Sequence, residues 1–239
     1  MASPPAEWRS TLALLALGDG RFPIGGHAHS GGVESAVADG RVGDAESLEA
    51  FVSGRLRTTG LVDAALTAAT VLRLDHPPTG VDAALVLAAL DREAHVRILT
   101  PVLREASRRL GRQLVRVAAR CWPAPELALV ADLFPSGAHQ SIALGTVAVA
   151  ARLGPEDAAL LSLHHAVTMP AQAAVRLLGL DPFEVAALTV RLGALVEVLA
   201  AEATSSAAGP LEDLPAGSGP LVEIAAAHHH TLNPRLFVT

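Results

Sequence analysis

The 239-residue sequence contains no lysine and no tyrosine, and aromatic residues make up only 3% of it. Aromatic and β-branched side chains are the residues that favour strands, so a composition led by alanine and leucine argues against sheets. Apolar residues instead recur about every 3.6 positions, the spacing of an amphipathic helix. The sequence therefore predicts an all-α protein, a single-domain bundle of about eight to ten helices.

The sequence has a single cysteine, Cys121. One cysteine forms no internal disulfide and builds no thiolate metal cluster within one chain. Because Cys121 lies in an apolar helical pattern, we expect it to be a small core residue. The sequence also lacks a Gly-x-Ser-x-Gly nucleophile motif and the histidine spacing of zinc hydrolases. Nothing in the sequence therefore argues for a catalytic residue, a metal ligand set or an enzymatic activity.

The net charge is −6 at pH 7, and the mean hydropathy is +0.39. An acidic protein lacks the basic surface that nucleic-acid binding requires. The N-terminus does not resemble a signal peptide, and no apolar run reaches the ~18 residues of a membrane span. We expect a cytoplasmic protein that contacts neither membrane nor nucleic acid, with some apolar surface reserved for protein partners.

Proline and glycine divide the chain into three parts. Residues 1–204 form the predicted helical core, which includes a glycine-rich segment at 18–32. Residues 205–220 read as a linker, and residues 221–239 as a C-terminal docking tail. Inside the core we expect Ser30, Asp44, Thr100 and Asp181 to be helix N-caps. We expect Pro170 to kink or break its helix.

The glycine-rich segment contains the run Phe22-Pro23-Ile24-Gly25-Gly26-His27-Ala28-His29-Ser30-Gly31-Gly32-Val33-Glu34. No Gly-Lys-Ser/Thr follows these glycines and no apolar strand precedes them, so this is not a phosphate-binding loop. The spacing does not fit a dinucleotide-binding loop either. An ordinary glycine-rich turn and a specific recognition segment both remain open.

The C-terminal tip is apolar where chain ends are usually polar. Arg235 precedes Leu236, Phe237 and Val238. Leaving the phenyl ring of Phe237 in water forgoes about 1.5–3 kcal/mol. We expect the tip to dock, either on its own bundle or on another chain, and an arginine beside an aromatic residue suits an interface.

Arginines recur at steps of four along one predicted helix, which places them on neighbouring turns of its surface. They are Arg104, Arg108, Arg112, Arg116 and Arg120, with Arg109 beside them. A solvated or internally paired face and a docking strip for an acidic partner are both open interpretations. Arg104, Arg108 and Arg112 are the candidates for an interface helix.

These motifs together resemble the UreF family of urease accessory proteins. The glycine segment resembles the family's N-terminal signature, and Arg104-Glu105-Ala106-Ser107 with Gly111-Arg112 is similar to its Arg-Glu-Ala-Ser…Gly-Arg helix. The stretch from Ala173 to Leu180 and the ending Arg235-Leu236-Phe237-Val238-Thr239 match two further family patterns in the same order. The resemblance spans nearly the whole chain.

The resemblance implies an all-α homodimer that binds the accessory protein UreD/UreH, recruits the GTPase UreG and helps to deliver nickel to the urease apoprotein. It implies a bridging role without catalysis, in which nickel is handled by the complex and no cofactor is bound tightly. The predicted partner-binding residues are Pro23, Gly25, Gly26, His29, Ser30, Gly32, Glu34, Arg235, Leu236 and Phe237.

Two other hypotheses remain. A metallochaperone would bind nickel directly through His27, His29 or the run His228-His229-His230. Adjacent histidines on a helix diverge by about 100°, so that run is not a preformed chelate. An all-α enzyme with a site near Ser30 and Glu34 is the last hypothesis, and the sequence offers no second catalytic partner for it.

Overall fold

The computed structural model describes residues 6–23, 29–75, 82–228 and 236–237, and these ranges contain helices and no strand. The α-helices are α1 Ala6–Gly18, α2 Val33–Ala38, α3 Ala45–Arg55, α4 Leu61–Asp75, α5 Ala83–Arg97, α6 Pro101–Cys121, α7 Pro125–Leu133, α8 Gln140–Ala150, α9 Pro155–Leu178, α10 Pro182–Arg191, α11 Gly193–Ala207 and α12 Pro220–His228. The predicted all-α bundle is confirmed. None of the described helices is long and apolar enough to cross a membrane.

Some of the twelve helices are continuous with one another. A π-turn over Leu56–Gly60 carries α3 directly into α4, and α10 and α11 meet at Leu192. The glycine at position 60 does not end the helix. Its missing Cβ would lie 3.2 Å from the carbonyl oxygen of Arg55, so the wide turn suits a residue without a side chain.

The core is built around α4, which packs against α8, α9 and α11. Alanines at 64, 65, 68 and 69 are buried and keep the neighbouring helix axes close. At the α4–α8 crossing, a Cβ on Gly145 would lie 2.5 Å from the Cβ of Thr70. The core therefore depends on small residues at helix contacts, as the composition suggested.

Two of the predicted N-caps are confirmed. Asp44 accepts a hydrogen bond from the Ser47 amide at 2.8 Å. Asp181 caps α10 by accepting a hydrogen bond from the Phe183 amide. Thr100 is the N-cap residue of α6, but its hydroxyl makes no cap hydrogen bond. Its amide is instead bound by the carboxylate of Glu223 on α12, at 3.0 Å.

Two expectations about single residues are wrong, a break at Pro170 and a core position for Cys121. Pro170 lies inside α9, which continues unbroken from Pro155 to Leu178, because packing on both sides holds a helix whose ladder lacks one amide. A kink at Pro170 stays a prediction. Cys121 is exposed rather than part of the core. It is the last residue of α6, beyond the positions of that helix that face the bundle.

The segment 205–220 contacts the bundle through backbone groups. Its first residues complete α11, and a short 3₁₀ turn follows at Leu211–Asp213. The guanidinium of Arg97 on α5 donates hydrogen bonds to the carbonyl oxygens of Leu211, Leu214 and Pro215. These bonds hold the segment against the end of α5.

Candidate functional site

The residues predicted to bind partners come from the two ends of the chain. Gly25, Gly26 and Arg235 lie outside the described residues, so their roles stay predictions. The other members can be located, and they are Pro23, His29, Ser30, Gly32, Glu34, Leu236 and Phe237.

The backbone before α2 requires glycine. Gly31 and Gly32 have φ angles of +63° and +87°, in the region that glycine occupies at little cost. A Cβ on Gly32 would lie 2.9 Å from a methyl group of Val222 on α12. The predicted cap at Ser30 is wrong: α2 begins at Val33 with Gly32 as N-cap, and the Ser30 hydroxyl accepts from the Gly32 amide at 3.3 Å.

Glu34 connects α2 to the C-terminal tip. Its side chain is buried, and its Oε1 accepts a hydrogen bond from the Leu236 amide at 2.6 Å across 202 positions of sequence. Phe237 is 5% exposed, and its ring centroid lies 4.4 Å from the guanidinium carbon of Arg176 on α9. Phe237 therefore docks on its own bundle, whereas Leu236 is 66% exposed.

Pro23 and His29 have different environments although both were predicted to contact a partner. Pro23 is exposed, and its carbonyl oxygen accepts a hydrogen bond from Nε2 of Gln113 on α6 at 3.2 Å. His29 is buried at the edge of a cavity. Of these two, Pro23 is accessible to another protein in the present conformation.

The arginine row is divided between internal contacts and solvent. Arg104 donates to a backbone carbonyl just after α5 at 2.7 Å. Arg108 binds the Gly137 carbonyl at 2.7 Å and forms an ion pair with the buried Asp91 at 2.8 Å. The members at steps of four that remain exposed are Arg112, Arg116 and Arg120. Arg109 beside them is also exposed, and it forms an ion pair with Glu105 at 3.6 Å. The basic face available to a partner therefore begins at Arg112.

A buried histidine network was not found from the sequence. The Nδ1 of His139 lies 3.1 Å from the Ser107 hydroxyl, and its Nε2 lies 3.3 Å from Nδ1 of His95. The His139 amide donates to Asp91 at 2.8 Å. Burial lowers the pKa of His139 to about 4 despite the nearby Asp91 carboxylate, so the ring is neutral near pH 7. The network joins α5, α6 and the start of α8.

The remaining histidines do not form a metal site in the described part of the chain, where no cluster of three or more candidate ligands occurs. Nε2 of His164 and of His165 lie 3.2 and 2.9 Å from the carbonyl oxygens of Gly18 and Leu17, which ties α9 to the end of α1. His27, His229 and His230 lie outside the described residues, so direct nickel binding stays a prediction.

A cavity of about 140 Å³ lies beneath the α2 start and is lined in part by His29, Gly31, Arg55 and Asp63. Nothing in the sequence drew attention to Arg55 and Asp63. They are eight positions apart, and only the π-turn between them and the packing of distant helices place both beside one cavity. The glycine in that turn was the available signal.

Exposed apolar residues form two groups that could face a partner. One is on α1, at Leu12 and Leu15, and the other runs along α10 and α11, at Phe183, Val190 and Val198. Phe183 is the most exposed of the large apolar residues described, at 84%. These surfaces account for part of the apolar excess in the composition.

The chain matches known proteins over most of its length. A family model described as UreF matches residues 42–193. A protein named urease accessory protein UreF from Mycobacterium marinum is 42% identical over 231 residues, which covers 96% of this chain and 100% of that protein. The protein of the same name from Mycobacterium tuberculosis is 40% identical over 230 residues, covering 96% and 99%. The chain therefore belongs to the UreF family of urease accessory proteins.

Proposed function

We propose that the chain is a non-catalytic adaptor, which joins UreD/UreH to the GTPase UreG and so supports nickel insertion into the urease apoprotein. The observation that carries the proposal is the convergence of the α2 start with the C-terminal tip, in a member of a urease accessory family. In this account the chain works through its surface, in the cytoplasm, and binds no cofactor tightly.

The tip supplies both an anchor and a contact. Phe237 is buried against Arg176, and the Leu236 amide is bound by Glu34, so the backbone at the tip is held before any partner arrives. A contact residue that is already ordered costs less conformational entropy on binding. We therefore assign the UreD/UreH contact to exposed Leu236 with the neighbouring glycine segment, rather than to the ring of Phe237.

Co-purification with UreD/UreH tests this assignment. Leu236→Arg places a charge in the proposed contact and is expected to reduce recovery at least about tenfold, the loss of about 1.4 kcal/mol or more. The matched control is Leu85→Arg on α5, because Leu85 is 65% exposed and Leu236 is 66% exposed. Both variants should keep the helical circular dichroism signal. Equal recovery of the two would contradict the assignment.

A homodimer is part of the same proposal, and α1 and the α10–α11 surface are its two candidate faces. A two-fold contact uses the same patch from each subunit, so one charge appears twice in the interface. We expect either Leu12→Arg with Leu15→Arg, or Phe183→Arg with Val190→Arg, to give monomers in sedimentation velocity. A dimer that survives both pairs would exclude both faces.

The α6 surface is proposed to contact an acidic region of a partner. Arg104 and Arg108 are held by internal bonds and position the helix, whereas Arg112 presents its charge to solvent. Binding through such a face weakens as salt screens the charges. Arg112→Glu is expected to weaken assembly with UreG or urease and to reduce its salt dependence. Arg57→Glu, at another exposed arginine, is the control.

A further inference from the structure

The cavity below α2 contains two charged groups with unmet bonding capacity. The guanidinium of Arg55 donates through NH1 to the Gly31 carbonyl at 2.6 Å, but its buried Nε has no hydrogen-bond partner among the described residues. The carboxylate of Asp63, on a half-buried residue, makes no hydrogen bond or ion pair with the described part of the chain. Charged groups held away from bulk water in this state are costly unless something polar fills the space between them.

The other charged residues around the cavity already have partners. Glu223 binds the amides of Leu99 and Thr100, at 3.2 and 3.0 Å. Arg97 is paired with Glu93 and with carbonyl groups of the 205–220 segment. Arg55 and Asp63 are therefore the charged groups left to face an occupant.

A smaller cavity of about 40 Å³ adjoins the first and shares Arg55 and Asp63 with it. His165 lines this second space, and its buried Nδ1 has no hydrogen-bond partner in the described residues. Its Nε2 contacts a carbonyl oxygen, which can only accept, so the proton is on Nε2 and Nδ1 is a bare acceptor. Burial lowers the pKa of His165 to about 4, so it adds no positive charge near pH 7.

The rest of the cavity wall is mainly apolar. Val62, Leu103, Leu110, Met169 and Val222 contribute to it. An engineered cavity of about 150 Å³ accepts benzene, so a space of this size holds a molecule of about six non-hydrogen atoms. A planar carboxylate fits the fork of an arginine, and a short apolar tail fits this wall.

We propose that this cavity is a binding site for a small monocarboxylate, whose carboxylate is bound by Arg55 beside Asp63 and whose short apolar tail lies against Val62, Leu103 and Met169. Gly31 holds the guanidinium through its carbonyl and forms part of the rim. The site lies directly under the α2 start, so its occupancy is coupled by contact to the proposed docking surface.

Binding should take up a proton. Burial raises the pKa of Asp63 to about 6, although Arg55 opposes the shift. A bound carboxylate beside an ionised Asp63 would put two negative charges against one guanidinium, whereas a protonated Asp63 donates a hydrogen bond and leaves the site neutral. Affinity is therefore highest below pH 6 and falls up to about tenfold per pH unit above it.

Titration of the full chain with isobutyrate, followed by calorimetry and saturation-transfer NMR between pH 6 and 8, tests the proposal. Isobutyrate should bind, and isobutylamine, with the same tail and the opposite charge, should not. Asp63→Asn should bind isobutyrate with little pH dependence, because the amide donates at every pH. Arg55→Gln should lose binding at least tenfold, and the exposed-site control Arg57→Gln should retain it.

Several outcomes would overturn the inference. The first is a dissociation constant for isobutyrate weaker than about 10 mM at pH 6. The others are binding that survives Arg55→Gln and a pH dependence that is unchanged in Asp63→Asn. Bicarbonate that binds more tightly than isobutyrate would show an oxyanion site without a role for the apolar wall. If Arg55→Gln fails to fold, the ligand series and Asp63→Asn still decide the matter. These results are independent of whether UreD/UreH binds Leu236.

Discussion

Replacing Phe237 by alanine should release the C-terminal tip without unfolding the bundle. In the folded chain the tip gains about 1.5–3 kcal/mol from ring burial and about 0.5–1 kcal/mol from the arginine contact. The hydrogen bond to the Glu34 carboxylate adds about 1.5–3 kcal/mol. Ordering the backbone of the two described tip residues costs about 2–4 kcal/mol.

The balance is a docking free energy of roughly 2 kcal/mol for the wild-type tip. Phe237→Ala removes favourable terms of about 2–4 kcal/mol, at least as large as the net docking free energy, so the tip should be mostly undocked. Because undocking is local, the bundle should lose no more than the docking free energy. That loss is smaller than the cost of truncating a core phenylalanine, which is about 3–5 kcal/mol.

Hydrogen exchange measures this directly through the Leu236 amide, which Glu34 binds at 2.6 Å. We expect its exchange to accelerate at least about tenfold in Phe237→Ala, with urea unfolding weakened by no more than about 2 kcal/mol. Leu85→Ala, a substitution at an exposed residue of α5, is the control and should change neither quantity. Unchanged exchange in Phe237→Ala would refute the idea that the ring anchors the tip.

Two further predictions concern packing and pH. Gly145→Ala should destabilise the bundle by about 1–3 kcal/mol, because the new Cβ collides with Thr70. Gly54→Ala in α3 should stabilise the bundle by roughly 0.5–1 kcal/mol, because the new Cβ contacts no other atom and alanine favours a helix over glycine. Chemical denaturation of the two variants checks the opposite signs. His139 and His165 both have folded pKa values of about 4, below the ordinary 6.5, so the folded state binds fewer protons than the unfolded state between those values. Each histidine should therefore lower stability by up to about 1.4 kcal/mol per pH unit as the pH falls from 6.5 towards 4. Asp63, whose pKa is raised to about 6, should offset about one histidine's share of that loss below pH 6. His165→Gln should remove one histidine's share of the loss.

Several local features could be predicted because they depend on neighbouring residues alone. Asp44 and Asp181 cap helices since a short acidic side chain reaches amides two or three positions ahead. The glycine-rich segment before α2 was noted in the sequence, and positive φ angles at Gly31 and Gly32 show why two of its positions are glycine. The arginine row was placed on one helix correctly, but which members face solvent could not be predicted, since Arg108 is occupied by Asp91 of another helix.

The sequence alone determined the helical class, through periodicity and composition, and the family, through motifs spread from the glycine segment to the tip. Only the tertiary structure decided that Phe237 points into its own bundle, that Leu236 points out, and that Arg55 and Asp63 share a cavity. Periodicity gives the face of a helix on which a residue lies. It does not give the element that covers that face, because that depends on contacts between residues as far apart as Glu34 and Leu236.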